Sequence, residues 1–331
     1  MSPAGPSDDI LRAFASARTF LLTTHVNPDG DAMGSEIALA SWLRSRGKDV
    51  QIINAGALPP FYRWLDPEGR IALYDARRDD PVIASRDAIV VLDANHPDRL
   101  LAMKDAVLKS PALRICIDHH LDPDPFAAHA LIDGSATSTG EILFRLLYGA
   151  DDPIDPVAAS ALYCAIMTDT GSFRYPRTGP DTHRIAARLI EAGADPVAIY
   201  TAVYEQWSPA RMRLLGEVLA GMATAYDGRL AHITVTQAMF ARTATSVEDT
   251  ENFTTYPMSV GGVAIGILFL EIAGGVKISF RSRGTIPVNA LAAEFGGNGH
   301  MNAAGARVSG DTDAVRRRVL DAAGKYIGVP A

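Results

Sequence analysis

Four short apolar runs in the first 120 residues constrain the fold most: TFLLTT at 19–24, VQII at 50–53, AIVVL at 88–92 and LRICI at 113–117. Each is continuous, not alternating, which is the pattern of strands buried on both faces in mainly parallel sheets covered by helices. Helical patterns lie between and after them at 32–45, 138–147, 156–168 and 181–192. Three of these have recognisable starts: Thr137 or Ser138, with Glu141 three residues after the latter, Asp155 before Pro156, and Pro180-Asp181. The expected architecture is α/β, with a doubly wound, mainly parallel sheet.

Beyond residue 195 the pattern is helical but mixed, is interrupted at Trp207-Ser208-Pro209, and gives way to a new β-run at 230–236. Further strands are expected at 263–272 and 276–282, and helices at 288–294 and 312–326, with a glycine-rich turn between the helices. This divides the 331 residues into a domain at 1–205, a helical linker at 206–227 and a smaller α+β domain at 228–331, as the length suits. No apolar run approaches the roughly 18 to 20 residues that span a bilayer. MSPAGPSDDI has neither a positive n-region nor an apolar h-region, and the two cysteines, Cys116 and Cys164, read as small buried hydrophobes in a reducing compartment. A cytoplasmic protein with no membrane partner is expected.

The net charge of −7 argues against a protein that grips long duplex nucleic acid by neutralising phosphates. Residues 211–331 nevertheless carry 12 Lys and Arg against 10 Asp and Glu, so the acid is concentrated before them. Such asymmetry suits a metal centre in one domain and an anion-recognising surface in the other.

Candidate ligands follow the apolar runs. THVNPDGDAMGS at 24–35 offers His25, Asp29 and Asp31, Asp93 ends AIVVLD, and Asp118, His119 and His120 end RICIDHH. Asp169, in MTDTGSFRY, closes a helix. Taken singly, each reads as a cap, a turn or a chance pair. Together, three strands deliver a carboxylate or imidazole just past their last apolar residue, at the sheet edge where ligands bind in such folds. Unpaired charges there are costly, and a shared cation relieves the cost. Without a thiolate, the set favours Mn²⁺, Mg²⁺, Fe²⁺ or Zn²⁺. It is too large for one catalytic ion and suits two, about 3.5 to 4 Å apart and bridged by a carboxylate and a hydroxide, the arrangement for in-line attack on phosphorus. In the C-terminal part, GGNGHMNAAG at 296–305 has glycines that allow amides to face an anion, with Arg281 and Arg283 nearby; a plain turn is the competing reading.

These residues resemble the DHH phosphoesterases, named for the Asp-His-His that stands here at 118–120. THVNPDGDAMGS is similar to the family's first motif, VLDAN to its second, IDHH to its third and TDTGSFRY to its fourth. FRSRGTIPVNALAAEFGGNGHMNAAG is similar to the DHH-associated C-terminal domain, so the match covers nearly the whole chain. The resemblance implies one ion on His25, Asp29 and Asp93 and a second on Asp31, Asp93, His119 and Asp169, with Asp93 bridging. It implies Asp93, Asp118 and His120 as catalytic groups, Asp118 orienting a histidine and His120 facing the scissile phosphate. Arg281, Gly299 and His300 would hold the substrate's terminal phosphate or sugar, with Ser35 and Arg174 also at the substrate. Mn²⁺ is the implied ion, with Mg²⁺ and Fe²⁺ as alternatives.

Within the family the chain most resembles the nanoRNase, or NrnA, type, which implies hydrolysis of very short RNA and linear dinucleotides and removal of the 3′-phosphate from adenosine 3′,5′-bisphosphate (pAp). The implied partners are short RNA and nucleotides such as pAp and pApA, not long duplexes, and a homodimer is left open. A cyclic- or linear-dinucleotide phosphodiesterase and a non-catalytic nucleotide sensor are the alternatives; a sensor would have lost ligand positions, and none is lost. The chain departs from the family's pattern at Asn95 and His96, at Pro176 and at Met301, where lysine is frequent. His96 reads either as an added substrate group or as an exposed turn residue.

Overall fold

The computed structural model describes residues 5–150 and 152–327; the outer ends of the expected domains, 1–4 and 328–331, lie outside these. The chain divides into two compact units, one ending at Gln206 and the other beginning at Trp207.

The first unit runs α1 (Pro6–Ser16), β1 (Thr19–Thr23), α2 (Gly30–Arg44), β2 (Asp49–Asn54), β3 (Ile71–Leu73), α3 (Ala76–Ala84), β4 (Ala88–Leu92) and α4 (Lys104–Lys109). It continues with β5 (Leu113–Asp118), β6 (His129–Ile132), α5 (Thr139–Leu147), α6 (Pro156–Asp169), α7 (Pro180–Glu191) and α8 (Pro196–Tyr204). Its six strands pair in parallel throughout, in the order β3-β2-β1-β4-β5-β6. The continuous apolar runs follow from this layering, because successive side chains of one strand enter different cores. Phe20, Leu22, Val90 and Leu92 pack with α2, α5 and α6, whereas Leu21, Ile89 and Val91 pack with Ile83 and Val107 of α3 and α4. Edge strands β3 and β6 are short and mostly half-buried, so neither carries the apolar run that marks the inner strands.

Strand order reverses between β1 and β4, and a sheet of this kind opens a crevice at that point. The loops after β1, β4 and β5 all leave from that edge. After β1, Asp29 Oδ1 accepts from the amides of Asp31 and Ala32 at 3.1 Å each, so α2 starts at Gly30, two residues before the expected position. Helix α2 then lies very close to α6: a Cβ on Gly30 would sit 2.4 Å from Thr168 Oγ1, and one on Gly34 would sit 2.3 Å from the Ala161 carbonyl oxygen.

The second unit contains α9 (Pro209–Ala220), β7 (Ala223–Ala225), β8 (Leu230–Val235), α10 (Gln237–Thr243), β9 (Ile265–Ile272), β10 (Gly275–Ser282), α11 (Val288–Ala293), β11 (Asn298–His300), β12 (Ala303–Ser309) and α12 (Thr312–Ile327). Its sheet has the order β11-β12-β10-β9-β8-β7, antiparallel except for β8 beside β9. Ile267, Ile278 and Phe280 face α11 and α12, while Ile233, Val235 and Leu268 face α9 and α10. Two expectations are corrected here. The stretch read as a helical linker is a core element, since α9 buries Leu214, Leu215 and Val218 in this unit. The glycine-rich stretch is a turn only in part: Gly296 lies in one, while Asn298, Gly299 and His300 pair with Gly305, Ala304 and Ala303.

Candidate metal centre

The β1 loop carries His25, Asp29 and Asp31, the β4 end carries Asp93, the β5 end carries Asp118, His119 and His120, and the end of α6 carries Asp169. The structure brings them together in three overlapping groups able to hold a metal ion: His25, Asp29 and Asp93; Asp31, His119 and Asp169; and Asp93 with Asp118, His119 and His120. Within each group one donor atom per residue lies within 4.8 Å of the others. Asp93 stands between the first two, its Oδ2 3.3 Å from His25 Nε2 and its Oδ1 3.6 Å from His119 Nε2. His119 Nε2 also approaches Asp169 Oδ2 at 3.2 Å and Asp31 Oδ2 at 3.8 Å.

Asp93 adopts a left-handed φ of 56°, uncommon outside glycine. Its amide donates to the Ile117 carbonyl at 3.0 Å and its carbonyl accepts from Arg99 Nη1 at 3.1 Å, which pins the turn from both sides. The turn aims a nearly fully buried carboxylate at two histidines.

Electrostatics supply the test of whether a cation fits. Burial, then the charges of Asp93, Asp169 and Asp29, hold the Asp31 carboxyl well above the usual carboxylate range. Burial likewise raises Asp93, and burial with the charges of Asp29 and Asp93 pushes Asp169 up to about 7. Burial, then His120, pushes His119 down to about 4, so its imidazole is neutral at pH 7, the form a metal takes. Carboxylates that raise one another and a neutral imidazole converging on one volume make a donor set that suits a divalent cation. The residues fit such an ion.

Asp118 faces His120. Its Oδ1 accepts from His120 Nδ1 at 2.8 Å and from the amides of His119 and His120 at 2.7 and 3.1 Å, while the buried Oδ2 has no hydrogen-bond partner among the described residues. Burial opposes the His120 imidazolium, but the bond to Asp118 and the Asp93 charge outweigh it and raise its pKa.

Profiles of known families match both units: "DHH family, N-terminal domain" over residues 19–166 and "DHHA1 domain" over 235–328. The bifunctional oligoribonuclease and PAP phosphatase NrnA of Thermus thermophilus is 32% identical over 305 residues, 91% of this chain and 88% of that protein. The chain belongs to the DHH family. The Bacillus subtilis protein of the same name is 25% identical over 303 residues, 91% of this chain and 92% of that one. A crystal structure of an exopolyphosphatase-related protein from Bacteroides fragilis superimposes with a TM-score of 0.92 at 35% identity, covering 97% of this chain and 96% of its own.

Two residues expected at the substrate have hydrogen-bond partners within this DHH protein. Ser35 is fully buried and donates its hydroxyl to Asp31 Oδ1 at 3.3 Å, because α2 starts five residues before it. Arg174 folds back, its Nε donating to the Gly171 carbonyl at 2.7 Å. In the second unit, Arg281 is the penultimate residue of β10 and His300 ends β11, both exposed, and Gly299 has φ 144° with a Cβ position 2.5 Å from Ala304 Cα. Only glycine fits that close approach.

Hydrogen-bonding supports surround these groups, and of them the sequence reading had named only Asn95, His96 and the capping residues. At the start of α5, the amides of Thr139 and Gly140 donate to Asp31 at 2.7 and 2.9 Å, and the Thr139 hydroxyl donates to Asp93 Oδ1 at 3.1 Å. Buried Asn95 donates to the carbonyls of His120 and Leu121, and exposed His96 meets the Asp122 carbonyl at 2.6 Å, so this pair secures the loop after Asp-His-His. Behind the β1 loop, fully buried Glu36 accepts from Asn54 Nδ2 at 2.8 Å, and Asn54 Oδ1 accepts from the Thr24 amide. A pocket of about 280 Å³ opens beside His119 and Asp169, walled by Tyr175, Pro176, Arg177 and Thr178. No helix among the described residues is long and apolar enough to cross a membrane.

Proposed function

We propose that this DHH-family chain is a metal-dependent phosphoesterase that hydrolyses very short oligoribonucleotides and linear dinucleotides to mononucleotides and removes a phosphate from pAp. The observation that carries the reading is Asp93 standing between a His25–Asp29 pair and an Asp31–His119–Asp169 group, in a chain that aligns over 91% of its length with a relative named for those activities.

His25, Asp29 and Asp93 would hold one divalent ion, and Asp31, Asp93, His119 and Asp169 a second, with Mn²⁺ the first choice. Such ions, when bound, supply Lewis acidity and a water activated at neutral pH. Asp118 orients the His120 ring through Nδ1 and favours its charged form, so that Nε2 would be placed to donate to a phosphoryl oxygen or to the departing oxygen. Thr139, Gly140 and Ser35 fix the Asp31 carboxylate, and Thr139 and Arg99 fix Asp93. No protein nucleophile is required. The unit ending at Gln206 would form the catalytic domain and the unit beginning at Trp207 the substrate-binding domain, with Arg281, Gly299 and His300 recognising the substrate's far phosphate or sugar. A cytoplasmic setting agrees with nucleotide substrates of this size.

The test is hydrolysis of pAp, a 5′-phosphorylated RNA dinucleotide, pApA and a longer RNA by protein stripped of metal and resupplied with Mn²⁺ or Mg²⁺. Metal-dependent turnover of the first three, with slower turnover of the longer RNA, is expected. Absence of turnover on all four with either ion overturns the reading.

A further inference from the structure

We propose that Arg177 binds the phosphate under attack, pairing its guanidinium with a phosphoryl oxygen from the wall of the pocket beside His119 and Asp169. This rests on the function proposed above and adds a residue to its site.

The chain path after Asp169 supports the assignment. Gly171, Ser172 and Phe173 all have left-handed φ, at 55°, 60° and 63°. For Ser and Phe this conformation costs on the order of 1–2 kcal/mol each, the kind of strain that persists where surrounding structure imposes it. Thr170 imposes it here: its hydroxyl accepts from the Phe173 amide at 3.0 Å, and its carbonyl accepts from the amides of Arg174 and Tyr175 at 2.9 and 3.0 Å. The reversal returns 175–178 to the cluster, where they wall the pocket that His119 and Asp169 also line.

Two arginines leave this turn, and their partners separate them. Arg174 is tied to Gly171, whereas Arg177 has no hydrogen bond or ion pair among the described residues, although its charge acts on both Asp169 and His119. An unpartnered guanidinium at the edge of a cation site completes an anion site once the cation is in place. Its fork matches phosphate oxygens, and it is most effective where charge develops during reaction.

Arg177→Gln and Arg177→Lys are compared with the wild type in three measurements: Mn²⁺ binding, inorganic phosphate binding to the Mn²⁺-loaded protein by calorimetry, and kcat/KM on pAp and a dinucleotide. For Arg177→Gln, phosphate affinity and kcat/KM on both substrates should fall by roughly 10- to 100-fold with Mn²⁺ affinity unchanged, and Arg177→Lys should recover part of the loss. Unchanged phosphate affinity, or loss of Mn²⁺ binding in parallel with activity, overturns the assignment. If wild-type protein binds phosphate in an Arg177-dependent manner yet turns over neither substrate, the phosphate site stands and the proposed function fails.

Discussion

The backbone amide of Thr139 donates to Asp31 Oδ2 at 2.7 Å, tying the start of α5 to a carboxylate 108 positions earlier. The hydroxyl of the same residue meets Asp93 at 3.1 Å, so one threonine positions a carboxylate in each of two ligand groups. Thr139→Val keeps the amide and the shape but removes the hydroxyl. Loss of such a supporting bond typically costs 10- to 100-fold in metal affinity or activity, and about tenfold in each is expected here. Calorimetric Mn²⁺ titration with steady-state kinetics checks this; values equal to wild type would remove Thr139 from the site.

Asp93→Asn should separate function from stability. Metal-dependent hydrolysis should be abolished, because among the described residues no other carboxylate stands between the two groups. Metal-free protein at pH 8 should be no less stable than wild type, since the substitution deletes a buried charge that has carboxylate neighbours. Melting in the presence of a chelator is the measurement, and a midpoint several degrees below wild type would contradict it.

Glu36 predicts a pH dependence of opposite sign to an ordinary salt-bridged carboxylate. Burial pushes its pKa up to about 8, from 4.5 when exposed. Stability from the protonated, buried form is complete below about 4.5 and is lost as pH rises through about 8. Relative to Glu36→Gln, wild-type protein should lose on the order of a few kcal/mol of unfolding free energy across that window. Denaturant titrations at pH 5 and 8.5, in saturating Mn²⁺ to hold the cluster constant, test it; parallel pH profiles for the two proteins would refute it.

Gly34→Ala sets helix propensity against packing. Propensity alone favours alanine by about 1 kcal/mol. The added methyl, however, would sit 2.3 Å from the Ala161 carbonyl oxygen of α6, a backbone atom that cannot rotate away. Net destabilisation of about 1–3 kcal/mol is expected from chemical denaturation. A variant as stable as wild type would mean that α2 and α6 can separate without cost.

The sequence announced what depends on local pattern. The inner strands β1, β2, β4 and β5 were legible because burial on both faces leaves a continuous apolar run; Asp155 caps α6 as its place before Pro156 said, and of Thr137 and Ser138 it is Ser138 that caps α5. The convergence of His25, Asp29, Asp31, Asp93, His119 and Asp169 was legible because each follows such a run or closes a helix. What was illegible is what depends on three-dimensional partners. Thr139 reads in sequence as a helix's first residue, and nothing local says that its amide meets Asp31. Ser35 misled because Asp29 starts α2 early and turns that hydroxyl inward. The sequence singled out Arg174, inside TDTGSFRY, and passed over Arg177; only the left-handed turn shows Arg174 bonded to its own backbone and Arg177 at the pocket. The α9 segment looked like a linker because its interruption at Ser208-Pro209 is in fact its N-terminal cap, Ser208 accepting from the Arg211 amide.

The close approach of α2 to α6 also bears on how the chain is made. The first candidate ligand, His25, leaves the ribosome long before the last, Asp169, and the glycine face of α2 has no partner until Ala161 and Thr168 have been synthesised. Until then Asp31 and Asp93 cannot take up their burial against α5 and α6. The acidic centre is therefore closed by the final helix that reaches it, and a nascent chain stopped short of about residue 170 would hold most of the donors but no enclosed site.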